Sequence, residues 1–414
     1  MSEQLATRRM TGARERLLAR AARRIGLAAA ARIHTGQLTV VLPDGRRRVF
    51  GDSISQRRAE IHLHDDEAIV RILLHGETGA GEAFMDGLWS SPDLVGLIEL
   101  AALNRSSLAL ASGWWRRVTG VPRMLAHQAR HNSVANARRN IQAHYDLGND
   151  LYRLFLDETM TYSSAVFESP DQPLADAQRT KYRRMAEGAG LAAGMHVLEI
   201  GSGWGGFALY AAGELGCRVT SLTISNEQHA LARERVRAAG LDHLVDIELR
   251  DYRHIEGTYD AVVSIEMLEA VGAEYFTTYF EAVDRALRPG GKAAIQVITM
   301  PDATYEYQRR GVNWIQTYIF PGGLLPSLAE MERALHATRL LVRGVTDIAD
   351  SYVLTLRAWR TRFLQNRAAV LGLGFDERFL RMWEYYLAIS EAGFATGITQ
   401  DLQVVLQKGR GLEA

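Results

Sequence analysis

The sequence predicts an α/β protein, a doubly wound sheet preceded by a smaller N-terminal α+β domain, and three observations carry that prediction. From about residue 176 short apolar runs alternate with helix-patterned stretches, and such alternation requires a parallel sheet with helices on both faces. One of those runs, Met195 to Ile200, enters the glycine-rich turn Gly201-Ser202-Gly203-Trp204-Gly205-Gly206. The length, 414 residues, leaves room for more than one core at about 150 residues per domain. With 47% hydrophobic and 23% charged residues, the composition excludes a disordered or low-complexity chain.

The first element is a helix over residues 11–32. It places Leu17, Ala21, Ile25 and Ala28/Ala29 on one face with Arg14, Arg16, Arg20, Arg23 and Arg24 around it. Such a helix either packs on its own domain or meets an anionic lipid surface, where each arginine adds about 1 kcal/mol. A strand Gln37 to Leu42, a turn at Pro43-Asp44-Gly45 and a strand Arg47 to Phe50 follow. Zero net charge conceals a pattern: residues 1–48 hold eleven arginines against three acids, residues 49–99 three against ten, and residues 100–145 seven against none. Within the last segment, Trp114-Trp115-Arg116-Arg117 opens an acid-free run reaching Arg138-Arg139, a connector whose indoles suit a headgroup region. Neither basic patch has the pattern of a nucleic-acid-binding motif. The expected organisation is 1–113 as a lipid- or membrane-associated domain, 114–133 as a basic linker and 134–414 as a catalytic domain. No apolar run approaches the about 18 residues of a spanning helix, and the N-terminal arginines precede no signal-peptide core. A single cysteine, Cys217, and the absence of zinc-ligand spacing point to a reducing compartment, the cytoplasm, and to no metal.

After the glycine turn the pattern continues with a helix Phe207 to Leu215, a strand Arg218 to Ile224 and a helix Asn226 to Ala239. Strands Val245 to Leu249 and Tyr259 to Ile265, a helix Tyr275 to Leu287 and a strand Lys292 to Thr299 complete the alternation. Residues 300–345 and 357–414 read mostly as helix and loop, with Tyr352 to Leu356 a late strand.

Glycine in the turn lets backbone approach a ligand, because no Cβ stands in the way. By itself such a turn fits NAD, FAD or S-adenosylmethionine (SAM). Here Glu199 lies two residues before the first glycine, and no acid ends the second strand, where a dinucleotide fold holds its ribose. That strand instead runs into Leu222-Thr223-Ile224-Ser225, with Gln228 one turn into the next helix, and Asp251-Tyr252 follows the third strand, suited to an adenine. Together these favour SAM.

Six motifs then carry a resemblance: His144-Tyr145-Asp146-Leu147-Gly148-Asn149-Asp150, Tyr162-Ser163-Ser164-Ala165, Leu198 to Gly206, Thr223 to Gln228, Tyr318-Ile319-Phe320-Pro321-Gly322-Gly323 and Tyr385-Tyr386-Leu387. Over about residues 134–408 the chain resembles the cyclopropane fatty acid synthase family of SAM-dependent methyltransferases. The resemblance implies a class I SAM-methyltransferase sheet with a helical acyl-binding cap. It also implies methyl transfer to the cis double bond of an unsaturated fatty acyl chain in membrane phospholipid. Peripheral contact with the anionic inner face of the cell membrane and a homodimer are implied with it. Tyr162, Ser163, Glu199, Gly201, Gly203, Leu222, Thr223, Ile224, Gln228, Asp251 and Tyr252 would bind SAM.

Tyr305, Tyr307, Trp314, Tyr318, Phe320, Trp359, Phe363, Trp383, Tyr385 and Tyr386 form an aromatic set compatible with an acyl tunnel. The resemblance further implies a bicarbonate held by a cysteine, a glutamate, a histidine and a tyrosine for the closing proton loss. Glu269 and Tyr352 match two of these, whereas Ser164 stands at the cysteine, Gln296 at the histidine, and Ala270 at the histidine that commonly follows the glutamate. A cyclopropane is the first expected product, and a methyl- or methylene-branched chain the alternative. A methyltransferase of a small soluble metabolite and a noncatalytic lipid-binding protein are the competing classes.

Overall fold

A computed structural model describes residues 13–109, 147–309 and 311–410. The tryptophan-arginine run at 114–117, the linker expected at 114–133, the Arg138-Arg139 pair and residues 144–146 of the first motif lie outside the described residues. Two compact units emerge, one of residues 1–122 with 376–385, the other of residues 123–375 with 386–414.

The first unit holds helix α1 (Ala13–Ala30), strands β1 (Gln37–Val41), β2 (Arg47–Gly51) and β3 (Arg58–Leu63), helix α2 (Glu67–Met85), strand β4 (Trp89–Ser90) and helix α3 (Leu94–Leu103). Its sheet runs β2-β1-β3-β4, with β1 antiparallel to β2 and parallel to β3. The buried face of α1 differs from the expected one: Ala19, Ala22 and Ala30 are inside, while Ala21, Ile25 and Ala28 face out. Small residues let α1 lie close on α2, since a Cβ on Gly26 would come 2.7 Å from Ile69. Arg23 also turns inward, bonding Asp66 at 2.5 and 2.9 Å.

The second unit is a seven-stranded sheet of β5 (His196–Ile200), β6 (Arg218–Thr223), β7 (Val245–Leu249), β8 (Tyr259–Ile265), β9 (Leu287–Thr299), β10 (Leu340–Asp347) and β11 (Gln400–Lys408). The order is β10-β11-β9-β8-β5-β6-β7. Five strands are parallel, and β11 and β10 are antiparallel additions at one edge. One face packs on helices Phe276–Ala286 and Leu328–Leu335, the other on helices Leu174–Ala189, Gly206–Gly213 and Asn226–Ala238. Strand order reverses between β5 and β8, where doubly wound sheets open a crevice at their carboxyl ends.

Three expectations need correction. The sheet is mixed and not wholly parallel. Strands β10 and β11 occupy stretches expected as helix and loop: β10 is a bulged edge strand with a register shift at Val342/Gly344, and β11 is buried on both faces, so neither shows clean alternation. Tyr352 to Leu356 is helical, within Ala349–Gln365. Its β-branched and aromatic composition reads as strand locally, but Tyr352, Thr355, Leu356, Trp359 and Phe363 are buried at helical spacing, and tertiary packing overrides propensity.

Candidate active site

The glycine turn leaves β5 with Gly201 at φ 95° and Gly203 at φ 49°, left-handed values that favour glycine. The amides of Gly201 and Ser202 both donate to the Leu222 carbonyl, at 3.0 and 2.8 Å, which fastens the turn to the end of β6. A Cβ on Gly201 would press on Met267 at 3.2 Å, whereas the space over Gly203 is open for 4 Å. Thr223 donates its hydroxyl to Gln228 at 2.8 Å, and Ile224 leads to Ser225, which caps the helix carrying Gln228. Both oxygens of Asp251 accept from Arg253; burial opposes its ionisation, but these bonds outweigh it and hold the carboxyl below its ordinary range. The Tyr252 hydroxyl is buried without a partner among the described residues. An open glycine cradle, polar groups after β6 and an unsatisfied hydroxyl after β7 fit an adenosyl ligand such as SAM.

Glu199 is buried inside β5 and accepts the Ser221 hydroxyl; desolvation pushes its pKa up to about 8. Tyr162 donates its hydroxyl to Tyr386 at 2.8 Å and packs on Trp359. Ser163 spends its hydroxyl on the buried Lys181 ammonium at 2.7 Å and its carbonyl on Gln178. Burial drives Lys181 down to about 8, against the pull of Glu266, Asp157, Asp401 and Glu199.

A second group gathers at the carboxyl ends of β8 and β9. Its centre is Glu266, the residue after β8, held at φ 49°. A glutamate in that left-handed region stores of order 1–3 kcal/mol of strain, of the kind that persists at functional sites. Oε1 of Glu266 accepts the Ser164 amide at 2.8 Å and the Gln296 side-chain amide at 2.9 Å, and Oε2 accepts the Tyr352 hydroxyl at 2.7 Å. Gln296 also reaches Asp401 at 3.2 Å and accepts from Gln403 at 3.0 Å, its partner directly across the β9–β11 pair. Desolvation raises the Glu266 pKa against the bonds from Tyr352 and Ser164. Burial, then the neighbouring Glu266 charge, raises Asp401 well above the carboxylate range.

Ser164, Gln296 and Tyr352 are thus brought together, and Glu269 stands apart from their hydrogen-bond set. It sits in a 3-10 turn, Leu268–Ala270, where Oε1 accepts the Ile298 amide at 2.5 Å and Oε2 is buried with no partner among the described residues. Desolvation, then Glu266, lifts its pKa to about 8. Ser164 engages the cluster through its backbone amide and not through the hydroxyl expected to hold an anion, which donates to the Ala165 carbonyl at 2.9 Å.

The expected bicarbonate does not fit these residues. Its remaining donors, the Gln296 amide and the Tyr352 hydroxyl, are committed to Glu266, and another anion would meet Glu266, Glu269 and Asp401 at close quarters. The aromatic set divides too. Trp359, Tyr386 and Tyr162 line up beside Tyr352, whereas Tyr385 packs on Phe84 and Trp89 and Trp383 on Phe379 in the first unit. The side chain of Tyr307 lies outside the described residues.

Residues 132–404 match the family model of mycolic acid cyclopropane synthetase. The chain belongs to this family. It is 46% identical to the tuberculostearic acid methyltransferase UfaA1 of Mycobacterium tuberculosis, over 87% of this chain and 85% of that protein. Identity to the cyclopropane-fatty-acyl-phospholipid synthase of Escherichia coli is 34%, over 85% and 88%. The solved mycolic acid cyclopropane synthase CmaA1, complexed with SAH and CTAB, superposes with a TM-score of 0.61 at 30% identity, covering 66% of this chain and 98% of that one. This mycolic acid cyclopropane synthetase family member is a SAM-dependent enzyme that modifies an unsaturated fatty acyl chain.

Four residues of these buried clusters are not among the site residues expected from the sequence: Glu266, Asp401, Gln403 and Lys181. Two signals were present. Glu266 lies three residues before Glu269 at the same strand end, and Asp401 and Gln403 put polar groups two apart in an apolar stretch.

Proposed function

We propose that this enzyme transfers the methyl group of SAM to a cis double bond within an acyl chain of membrane phospholipid. Bound SAM supplies an electron-poor methyl on a sulfonium. The chain's own residues hold the donor, exclude water and receive the proton released afterwards. The observation that carries the reading is the acid-amide centre around Glu266, at the carboxyl end of the strand adjoining the glycine-turn strand. An alkene is a poor nucleophile and its methylation leaves a carbocation, which carboxylates and aromatic faces such as Trp359 and Tyr162 stabilise.

Proton loss from the new methyl group closes a cyclopropane, the first reading for the product. Loss from a chain carbon gives a methyl-branched alkene, and a 1,2-hydride shift before loss from the methyl group gives an exocyclic methylene. A specific observation favours that second reading: Ser164 and Gln296 surround a protein carboxylate where the family pattern implies a cysteine, a histidine and bicarbonate, and the relative 46% identical is named a methyltransferase. Mass spectrometry of phospholipid fatty acids from a host lacking such enzymes tests both. A gain of one methylene unit establishes the transfer, no gain removes it, and catalytic hydrogenation separates ring from branch.

Peripheral attachment to the anionic inner face of the cell membrane, from the cytoplasm, is part of the proposal. It is supported by the outward face of α1, where Arg20 and Arg24 are exposed beside Ile25, itself 48% exposed, and by the exposed Arg32 in the turn that follows. Among the described residues no helix is long and apolar enough to cross a membrane. Flotation with anionic vesicles tests attachment, and failure to float at low salt argues for a soluble substrate. Family resemblance supports a homodimer, which sedimentation tests.

A further inference from the structure

We propose that the carboxylate of Glu266 stands where the family places bicarbonate and is itself the base that accepts the proton lost by the methylated acyl chain. The inference rests on the methyl-transfer reading above and concerns the step after it.

The geometry is that of an anion site whose anion is part of the chain. A free anion in a protein needs donors converging on it from separate elements, and here three do: the Ser164 amide from the loop before helix Leu174–Ala189, the Gln296 amide from β9 and the Tyr352 hydroxyl from helix Ala349–Gln365. All three converge on the two oxygens of one side chain, between 2.7 and 2.9 Å. Gln296 cannot take up a proton, and its carbonyl oxygen is already occupied by Gln403. The tyrosine hydroxyl donates and is held far from ionisation by burial. Ser164 gives its backbone amide to Glu266 and its carbonyl to the Gln296 amide at 3.3 Å, while its hydroxyl turns away to Ala165. Of the groups gathered there Glu266 and Asp401 carry basic oxygens, and Glu266 is the one on which all three donors converge.

The left-handed backbone of Glu266 gives independent support. The conformation is costly for a glutamate, and it places the side chain at the strand end where β8 adjoins the glycine-turn strand. In the step itself, a C–H bond of the methylated cation breaks. Its electron pair forms the third ring bond, or the new double bond in the branched product, and the proton passes to a Glu266 oxygen. The cation and the carboxylate are both neutralised, and no further reactant is required.

The test uses the full-length enzyme, dioleoylphosphatidylglycerol vesicles and SAM with a labelled methyl group, in buffer stripped of carbon dioxide and again with added bicarbonate. The wild type is expected to label lipid at the same rate in both. Glu266→Gln, which keeps the shape and loses the basic oxygen, is expected to lower turnover by about 10²- to 10⁴-fold while calorimetry shows unchanged SAM affinity. Glu266→Ala opens the ring of donors, and added bicarbonate or formate is expected to restore part of its rate. A wild-type rate that depends on bicarbonate, or wild-type turnover by Glu266→Gln, overturns the proposal. If the wild type binds SAM yet labels no lipid in either buffer, the methyl-transfer reading itself has failed, and this inference falls with it.

Discussion

The two halves of the seven-stranded sheet are assembled in different ways. On the β5–β6–β7 side the groups that fit SAM come from one continuous stretch, residues 199–252, and their bonds stay within it, as Thr223 to Gln228 and the glycine turn to Leu222. On the β8–β9–β11 side the Glu266 centre draws on residues near 164, 266, 296, 352 and 401, and its bonds join positions 30 to 132 residues apart. The first side positions a ligand through backbone shape, the second through buried charge. Damage to the first should therefore appear in binding, and damage to the second in turnover.

The sharpest way to break that division is Glu269→Gln. An amide oxygen still accepts from Ile298, so the shape is kept and the ionisable group is lost, and turnover should fall by about 10²- to 10³-fold with SAM affinity intact. Weaker affinity with normal turnover would erase the distinction. Tyr352→Phe removes one bond to a buried carboxylate, worth about 1.5–3 kcal/mol, and should slow turnover by about 10- to 100-fold in a single-turnover assay. From the other side, Gly201→Ala forces an L-residue into φ 95° and against Met267. Left-handed strain of about 1–2 kcal/mol should raise the SAM dissociation constant about 5- to 30-fold, with turnover at saturating SAM nearly unchanged.

Smaller effects fall on stability. Glu199 is raised by burial from 4.5 to about 8, so between those values the folded state holds a proton that the unfolded chain has released. Its contribution is complete below pH 4.5 and is lost as pH rises toward 8; Tm should drop across that window in the wild type and less in Glu199→Gln. Lys181, lowered to about 8, acts in a separate window above that pH, where rising pH adds stability. Least of all, Ser225→Ala removes a helix cap and should cost about 1 kcal/mol in urea denaturation.

The sequence by itself determined the αβ alternation, the glycine turn, the nucleotide-side positions and the family, because each is written in residues within a turn or two of one another. It also named Ser164, Gln296 and Tyr352. Tertiary structure alone decided that these three close on Glu266, that Tyr352 comes from a helix, and that Asp401 and Gln403 arrive on a strand with no alternation to announce it. The reason is physical. Backbone shape is set by local sterics and can be read from spacing, whereas the protonation and role of a buried carboxylate depend on desolvation and on partners that only the folded chain brings within hydrogen-bond reach.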